Sequence, residues 1–410
     1  MAGVKSRLWV GIGDFVVGDD ETKAVNDVLR SSRITEGRKT LEFEKKWAAY
    51  VGTRYCVALN SGTSALIAGL TSLKFHRAFK IEEGRKVITT PLTYVATSNA
   101  IIHAGLEPVY VDVDEDTFCV TSDNVRNHLE MVDDSKDYSA ILPVHLMGYL
   151  CDMAGINRVA RQYGLVTIED SSQAHGSLTN GQKAGSLSLF STFSFYIAHN
   201  VQAGELGAVC TDDNEIARLV RMIKANGRMC DCAICRRSSS GCRRMRAQEK
   251  GSLRDPRFTH EIVGYNFKTM DLQTALASVQ LKRISDIIKK RRENFKYLTA
   301  GLERHADILV LPKYDPNVSY FAYPLVIKER KRISRESLIS KLEERGVEAR
   351  PMFGCIPTQQ PAYSQLRQEY LGKLPNAERI GSKGFYIGCH QYLNQEKLDH
   401  VIKVFKEVLA

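Results

Sequence analysis

The sequence has no apolar run long enough to cross a membrane. None of the apolar stretches in its 410 residues reaches the length of about 18 that a bilayer-spanning helix needs. The first residues, MAGVKSRLWVGIGDFV, lack the long apolar segment and small-residue cleavage site of a secretory signal. There is also no internal repeat and no low-complexity linker. These absences predict an intracellular, cytoplasmic protein that does not bind membranes.

The composition is that of a globular protein. Hydrophobic residues make up 43% and charged residues 25%, which excludes a disordered chain, a collagen-like fibre and a small disulfide scaffold. The length indicates two or three structural units.

The positive charge and four of the ten cysteines are concentrated in one segment. Residues 221–250 hold nine lysines or arginines against Asp231 and Glu249, which is +7 of the total charge of +10. The same segment holds the four closely spaced cysteines Cys230, Cys232, Cys235 and Cys242. In a reducing compartment such a cluster indicates a metal site rather than disulfides.

Short apolar runs alternate with helical patterns from about residue 56 to residue 213. This alternation predicts a mainly parallel sheet covered by helices on both faces. From residue 271 to 305 the pattern predicts one long amphipathic helix. We therefore expect a large α/β domain over 1–285, with a cysteine-rich insertion at 227–250, and a small α+β domain over 286–410.

Three segments carry residues suited to chemistry. The turn 60–65, NSGTSA, is typical of a phosphate site at a helix N-terminus, or simply of a capped βα turn. Asp170 ends an apolar strand, where α/β proteins bind ligands, although it could instead cap the next segment. His199 follows another strand and could be a base, a ligand or a surface residue.

Taken in order, these segments resemble one family. The series GT, TPLTYVAT, EDSSQAHGS, FSF-x3-H-N-x3-GELGAV and GYNFKTMDLQTA resembles the DegT/DnrJ/EryC1/StrS family of pyridoxal-phosphate enzymes that act on nucleotide sugars. The resemblance covers about residues 8–410. It implies a fold type I aminotransferase-like protein that works as a homodimer with a shared active site.

The resemblance also implies how the cofactor is held. Gly62, Thr63 and Ser194 match phosphate ligands, and Asn266 matches a phosphate contact given by the neighbouring subunit. Tyr94 matches the aromatic residue that lies over the pyridine ring. Asp170 matches the carboxylate that pairs with the ring nitrogen, and Gln173 matches the residue near the phenolic oxygen.

His199 is the main departure from the family pattern. The aminotransferases have lysine there, because an amine must form the internal Schiff base. One branch, the sugar 3-dehydratases, has histidine. The resemblance thus implies non-covalent pyridoxamine phosphate and C3 dehydration of an NDP-4-keto-6-deoxyhexose. In that branch the histidine is the base that removes the cofactor's C4′ proton.

The cysteine cluster suggests the iron–sulfur type of dehydratase. In that type a GRxCxC stretch follows the histidine, as residues 227–232 do here, and the cluster relays single electrons from a reductase. The iron-bearing branch also takes a cysteine two residues after the pyridine carboxylate, where this chain has Ser172. With Cys230, Cys232, Cys235 and Cys242 as local ligands, a [2Fe–2S] cluster, a [4Fe–4S] cluster and structural zinc all stay open.

Three other functions remain as alternatives. They are an iron-free dehydratase with glutamate-regenerated cofactor and structural zinc, a sugar aminotransferase, and a non-catalytic protein that binds ligand or nucleic acid. The absence of lysine at 199 argues against the second. Against nucleic acid, residues 221–250 contain no aromatic side chain for base stacking.

Overall fold

A seven-stranded sheet forms the centre of the larger part of the molecule. The structure is a computed structural model that describes residues 8–230, 232, 255, 258–329 and 333–410. The strands of the large sheet are β1 (Tyr55–Leu59), β2 (Lys86–Thr89), β3 (Glu107–Tyr110), β4 (Tyr138–Leu142), β5 (Val166–Asp170), β8 (Phe190–Ser194) and β9 (Gly207–Thr211). Their order across the sheet is β1-β9-β8-β5-β4-β2-β3. A two-stranded ribbon of β6 (Leu178–Thr179) and β7 (Gln182–Lys183) lies apart from it.

The large sheet is mainly parallel, as predicted. All pairings among β2, β3, β4, β5 and β8 are parallel. β9 runs antiparallel to both of its neighbours, β1 and β8. The five residues of β9 are all buried, which is typical of a strand covered on both faces.

Helices cover both faces of this sheet. They are α1 (Asp19–Arg30), α2 (Arg38–Val51), α3 (Gly62–Phe75), α4 (Ala96–His103), α5 (Ser122–Met131), α6 (Met153–Tyr163), α7 (Asn214–Ile223), α8 (Asp271–Lys282) and α9 (Ile284–Leu302). α3 runs through the core, with eleven of its fourteen residues buried. Ser61 caps the N-terminus of α3, since its hydroxyl accepts a hydrogen bond from the N–H of Ser64 at 3.1 Å.

A four-stranded sheet follows in the C-terminal part. Its order is β10-β11-β13-β12, from β10 (Leu309–Val310), β11 (Tyr323–Ile327), β12 (Ala349–Pro351) and β13 (Gly384–Ile387), and all of its pairings are antiparallel. Its helices are α10 (Arg335–Glu343), α11 (Arg367–Tyr370), α12 (Pro375–Lys383) and α13 (Gln395–Val408). Single 3-10 turns lie at Ser135–Asp137, Leu146–Gly148, Glu303–His305 and Pro361–Leu366.

The prediction of one long helix over 271–305 was wrong. α8 ends at Lys282, α9 begins at Ile284, and Arg283 between them has φ −104° and ψ 5°. At this break the guanidinium of Arg283 pairs with Glu21 and Asp20 of α1, at 3.0 and 2.6 Å. The helix is therefore interrupted at a residue held by tertiary ion pairs rather than by a local proline or glycine.

The N-terminal segment lies against the small sheet. Val10 forms a parallel bridge with Val347, and the N–H of Ile12 donates to the carboxylate of Glu348 at 2.9 Å. The domain boundary at residues 285 and 286 stays a prediction. Among the helices that the structure describes, none combines the length and apolar character needed to cross a membrane.

Candidate active site

A cavity of about 540 Å³ lies at the C-terminal edge of the large sheet. This volume is typical of small-molecule sites. Residues that follow β1, β2, β4, β5 and β8 line it, as expected for a ligand site of an open α/β sheet. Its lining includes six residues predicted from the sequence to bind the cofactor, and the predicted base: Gly62, Thr63, Tyr94, Asp170, Gln173, Ser194 and His199.

The N-terminus of α3 forms part of the cavity wall. Gly62 and Thr63 occupy its first turn, where backbone N–H groups have no intrahelical acceptor and attract anions. Gly62 packs directly on β8, since a Cβ at this position would lie 2.5 Å from Cβ of Ser194. Only glycine thus allows the helix end and Ser194 to approach so closely. The three residues form a cradle suited to a phosphate group.

The carboxylate of Asp170 also lines the cavity. This residue is 4% exposed at the end of β5. Gln173 lines the cavity as well and accepts a hydrogen bond from the N–H of Met147 at 2.9 Å. Tyr94 is 62% exposed at the mouth, with its ring centroid 6.1 Å from that of Phe353.

His199 also lines this cavity. Its Nδ1 is 3.3 Å from the carbonyl oxygen of Tyr196, so we assign the ring hydrogen to Nδ1. Nε2 then carries the lone pair. The ring is enclosed by His175, stacked at 5.9 Å, and by Phe321, tilted at 5.3 Å.

Burial keeps His199 neutral. Desolvation lowers its pKa to about 4, helped by the charge of buried Arg291, while the hydrogen bond to Tyr196 opposes this shift. Burial likewise lowers the pKa of His175 well below the usual range, and the neighbouring His199 adds to the effect. The cavity therefore presents a neutral imidazole at physiological pH.

The charges of the cavity wall are unevenly distributed. Asp170 and Glu205 are its carboxylates, and partial burial raises the pKa of Glu205. Arg350 is the only lysine or arginine among the described residues that line the cavity. Its guanidinium is 2.7 Å from Glu348 and its side chain is 45% exposed. Arg350 thus offers a partly solvated cation to an incoming anion.

Asn266 does not line this cavity. It forms an isolated antiparallel bridge with Ala225. The next residue, Phe267, accepts a hydrogen bond from the N–H of Asn60 at 2.9 Å, beside the phosphate cradle. A contact made by Asn266 across a dimer interface stays a prediction.

The cysteine cluster is only partly described. Cys230 is half-buried and Cys232 is exposed, whereas Cys235 and Cys242 lie outside the described residues. Within the described ranges, no three histidine, cysteine, aspartate or glutamate side chains form a group that could hold a metal ion. The four-thiolate site therefore stays a prediction.

Part of the basic segment is neutralised by ion pairs inside the protein. Arg221 pairs with Glu44 at 3.1 Å, and buried Lys224 pairs with Glu36. These two cations are thus satisfied inside the fold, which reduces the charge that the segment could offer to nucleic acid.

Several contacts of residues in these motifs were not anticipated from the sequence. Thr97 and Ser172 both donate hydrogen bonds to Asp170. The ring of His175 stacks on that of His199, and its Nε2 has no hydrogen-bond partner within the described part of the chain. Asp271 caps the start of α2, accepting from the N–H groups of Gly37 and Thr40 at 2.8 and 3.0 Å. All belong to motifs quoted above, but no spacing rule assigns such contacts.

The arrangement fits a phosphorylated pyridine cofactor. The helix N-terminus at Gly62 suits the phosphate, and the buried carboxylate of Asp170 suits a protonated ring nitrogen. The neutral imidazole of His199 lines the same cavity. Together with the mainly parallel seven-stranded sheet and the smaller C-terminal sheet, these features define a vitamin B6 enzyme of the aminotransferase fold.

Comparison with known proteins agrees with this class. The model of the DegT/DnrJ/EryC1/StrS aminotransferase family matches residues 16–406. The lipopolysaccharide biosynthesis protein RfbH of Salmonella typhimurium is 32% identical over 402 residues, covering 96% of this chain and 90% of that protein. The dTDP-4-dehydro-2,6-dideoxy-D-glucose 3-dehydratase of Saccharopolyspora spinosa is 31% identical over 404 residues, with 96% and 85% covered.

A solved structure shows the same fold. Escherichia coli GDP-4-keto-6-deoxy-D-mannose-3-dehydratase with bound hydrated PLP aligns with a TM-score of 0.83 at 24% identity, covering 97% of this chain and 99% of that one. The chain therefore belongs to the DegT/DnrJ/EryC1/StrS family, as the sequence motifs implied. It is an enzyme of a pyridoxal-phosphate family that modifies sugars.

Proposed function

We propose that this enzyme catalyses the pyridoxamine-phosphate-dependent C3 dehydration of an NDP-4-keto-6-deoxyhexose, leading to a 3-deoxy sugar. The observation that carries the proposal is His199, a neutral imidazole in the cavity wall at the position where the aminotransferases of the family have lysine. An imidazole cannot form an imine with the cofactor, but it can accept a proton. The 3-dehydratase names among the relatives support the same branch.

His199 is the proposed base. Its Nδ1–H donates to the carbonyl of Tyr196, which fixes the tautomer and leaves Nε2 to take a proton. The rings of His175 and Phe321 limit rotation of the imidazole. His199 would therefore remove the proton from C4′ of the cofactor and hold it at Nε2 while the C3 hydroxyl leaves.

The chain holds the cofactor without a covalent bond in this proposal. When bound, pyridoxamine phosphate supplies an amine that condenses with the C4 ketone and a ring that accepts electrons. Gly62, Thr63 and Ser194 would hold the phosphate, and Asp170 would pair with the ring nitrogen. Tyr94, at the mouth of the cavity, would cover the ring.

A homodimer completes the site in this proposal. Asn266 of one subunit would reach the cofactor phosphate of the other. The segment around it exposes apolar side chains, since Val263 is 84% and Met270 is 41% exposed. Such exposure supports an interface on this face.

A nucleotide sugar is the proposed substrate because of its charge. The diphosphate of such a compound needs a cation, and Arg350 supplies one in the described wall of the cavity. The aromatic rings of Phe353 and Tyr386 lie beside it and offer apolar surface.

The functional test compares wild type with His199→Asn. Wild type, supplied with pyridoxamine phosphate and an NDP-4-keto-6-deoxyhexose, should consume the sugar with loss of the C3 hydroxyl. His199→Asn should lose at least about 100-fold in rate, because general base catalysis contributes that much. His128→Asn on α5, outside the cavity lining, is the matched control. A 4-amino sugar formed from glutamate by wild type would instead identify an aminotransferase.

We also propose that Cys230, Cys232, Cys235 and Cys242 hold an iron–sulfur cluster that passes electrons from a reductase. The described start of this segment supports the placement. The N–H of Gly227 donates to Met222 at 2.8 Å, and the N–H of Met229 donates to Thr259 at 2.9 Å. The N–H of Phe267 donates to Lys224 at 3.0 Å, and the carbonyl of Phe267 accepts from the N–H of Asn60 beside the phosphate cradle. The segment thus starts close to the cofactor site.

Metal analysis after anaerobic purification tests the cluster. We expect iron with visible sulfide-to-iron absorption in wild type and its loss in Cys232→Ser. Cys355→Ser, at a buried cysteine of the C-terminal part, should keep the iron. Zinc in place of iron would make the segment structural and favour the iron-free dehydratase.

A further inference from the structure

The carboxylate of Asp170 is held from two directions. Oγ1 of Thr97, in the first turn of α4, donates to Oδ2 at 2.9 Å. Ser172, two residues after Asp170, donates to Oδ1 with its hydroxyl at 2.7 Å and with its backbone N–H at 3.2 Å. Thr97 is 1% exposed. Two separate elements, α4 and the turn after β5, therefore fix the same carboxylate.

The direction of each hydrogen bond follows from the donors present. An ionised carboxylate only accepts, so the hydroxyl hydrogen of Thr97 is committed to Asp170. The hydroxyl of Thr93 lies 3.1 Å from that of Thr97 and must therefore be the donor in that pair. Thr93, Thr97 and Asp170 form a chain of hydrogen bonds that all point toward the carboxylate.

Counting acceptor sites shows what is left for a ligand. The two oxygens of a carboxylate offer about four lone-pair sites. Ser172 uses both sites of Oδ1, and Thr97 uses one site of Oδ2. Counting donors from the described residues, one acceptor site remains, and it is on Oδ2.

We infer that Thr97 and Ser172 are positioning residues that hold Asp170 in one orientation and leave a single acceptor on Oδ2 for the protonated ring nitrogen of the cofactor. This inference rests on the proposed role of Asp170. It also explains the departure at position 172, where the iron-bearing branch has a cysteine. Here the side chain orients the carboxylate, because its hydroxyl hydrogen is committed to Oδ1.

The experiment measures cofactor binding rather than turnover. Apo-protein of the full chain is titrated with pyridoxamine phosphate, and the dissociation constant is read from fluorescence. Ser172→Ala and Thr97→Val should each bind about tenfold more weakly, the effect expected of a hydrogen bond to a charged group. Thr97→Ser keeps the hydroxyl and should restore most of the affinity.

Ser171 provides the matched control. It is the neighbouring serine, its side chain is fully buried, and its hydroxyl has no hydrogen-bond partner among the described residues. Ser171→Ala should bind pyridoxamine phosphate within about twofold of wild type, because removing this hydroxyl breaks no hydrogen bond to Asp170. The apo-proteins of Ser171→Ala and Ser172→Ala should unfold at similar temperatures.

A double-mutant cycle separates positioning from general damage. In an Asp170→Asn background, Ser172→Ala should cost little further affinity, because the group it positions is already changed. Equal affinities for Ser172→Ala, Thr97→Val and Ser171→Ala would overturn the inference while leaving the proposed function intact. Failure of wild type to bind pyridoxamine phosphate would instead overturn the proposed function, and the inference with it.

Discussion

Adding one methyl group at Gly62 should impair the phosphate cradle. The Cβ of Gly62→Ala would lie 2.5 Å from Cβ of Ser194 and 3.2 Å from its Cα, far inside normal contact distance. The clash is with atoms close to the backbone of β8, so no flexible side-chain end can move away. The start of α3 must therefore separate from Ser194, which opens the cradle.

The size of the effect follows from the cost of overpacking. Inserting a methyl group into a close-packed site costs about 1–3 kcal/mol. If binding of the phosphate requires the original spacing, binding must overcome that cost. The dissociation constant of the cofactor then rises by about fivefold to 150-fold. The assay is titration of the apo-protein with pyridoxamine phosphate, with urea unfolding measured in parallel.

Gly69→Ala is the matched control for this prediction. It lies on the same helix, and its Cβ would lie 2.5 Å from the ring of buried Phe190, in the core away from the cradle. Both variants should lower the free energy of unfolding by similar amounts. Only Gly62→Ala should also weaken binding of pyridoxamine phosphate. Wild-type affinity in Gly62→Ala, or an equal loss in Gly69→Ala, would refute the assignment of the cradle.

Two further predictions concern stability. Asp271→Ala should destabilise the protein by about 3 kcal/mol in urea unfolding, because the N–H groups at the start of α2 lose their buried cap. Asp271→Asn keeps an acceptor and should destabilise the protein far less. Equal losses in the two variants would contradict the capping role. Burial lowers the pKa of both His199 and His390 to about 4. Between pH 6.5 and pH 4 the unfolded chain therefore binds protons at these histidines, whereas the folded chain does not. The free energy of unfolding should be highest above pH 6.5 and fall toward pH 4, by about 3 kcal/mol for each histidine. His199→Asn should make this fall smaller. An unchanged pH dependence in that variant would contradict a buried neutral imidazole at position 199.

Much of the large sheet could be predicted from the sequence, since apolar runs alternate with helical patterns. Strand direction could not. The segment GAVCT forms β9, antiparallel to both neighbours, and nothing local distinguishes it from a parallel buried strand. The break at Arg283 was missed for a similar reason, because it depends on ion pairs with α1 that are distant in sequence.

The cofactor-facing residues were more predictable than the residues that support them. Gly62, Asp170 and His199 stand in motifs whose chemistry can be recognised, and the structure brings them to one cavity. The hydroxyls of Thr97 and Ser172 had no such signal, since serine and threonine serve equally well as caps and surface residues. Their role depends on distances of 2.9 and 2.7 Å to one carboxylate.

The most direct test of the central claim follows the proton that His199 is proposed to remove. Pyridoxamine phosphate carrying deuterium at C4′ is incubated anaerobically with the enzyme and an NDP-4-keto-6-deoxyhexose, and release of deuterium to water is measured by mass spectrometry of the recovered cofactor. We expect wild type to release deuterium from one of the two C4′ positions, only when the sugar is present, and His199→Asn to retain it. Release at the wild-type rate by His199→Asn would show that another group is the base and would contradict the account.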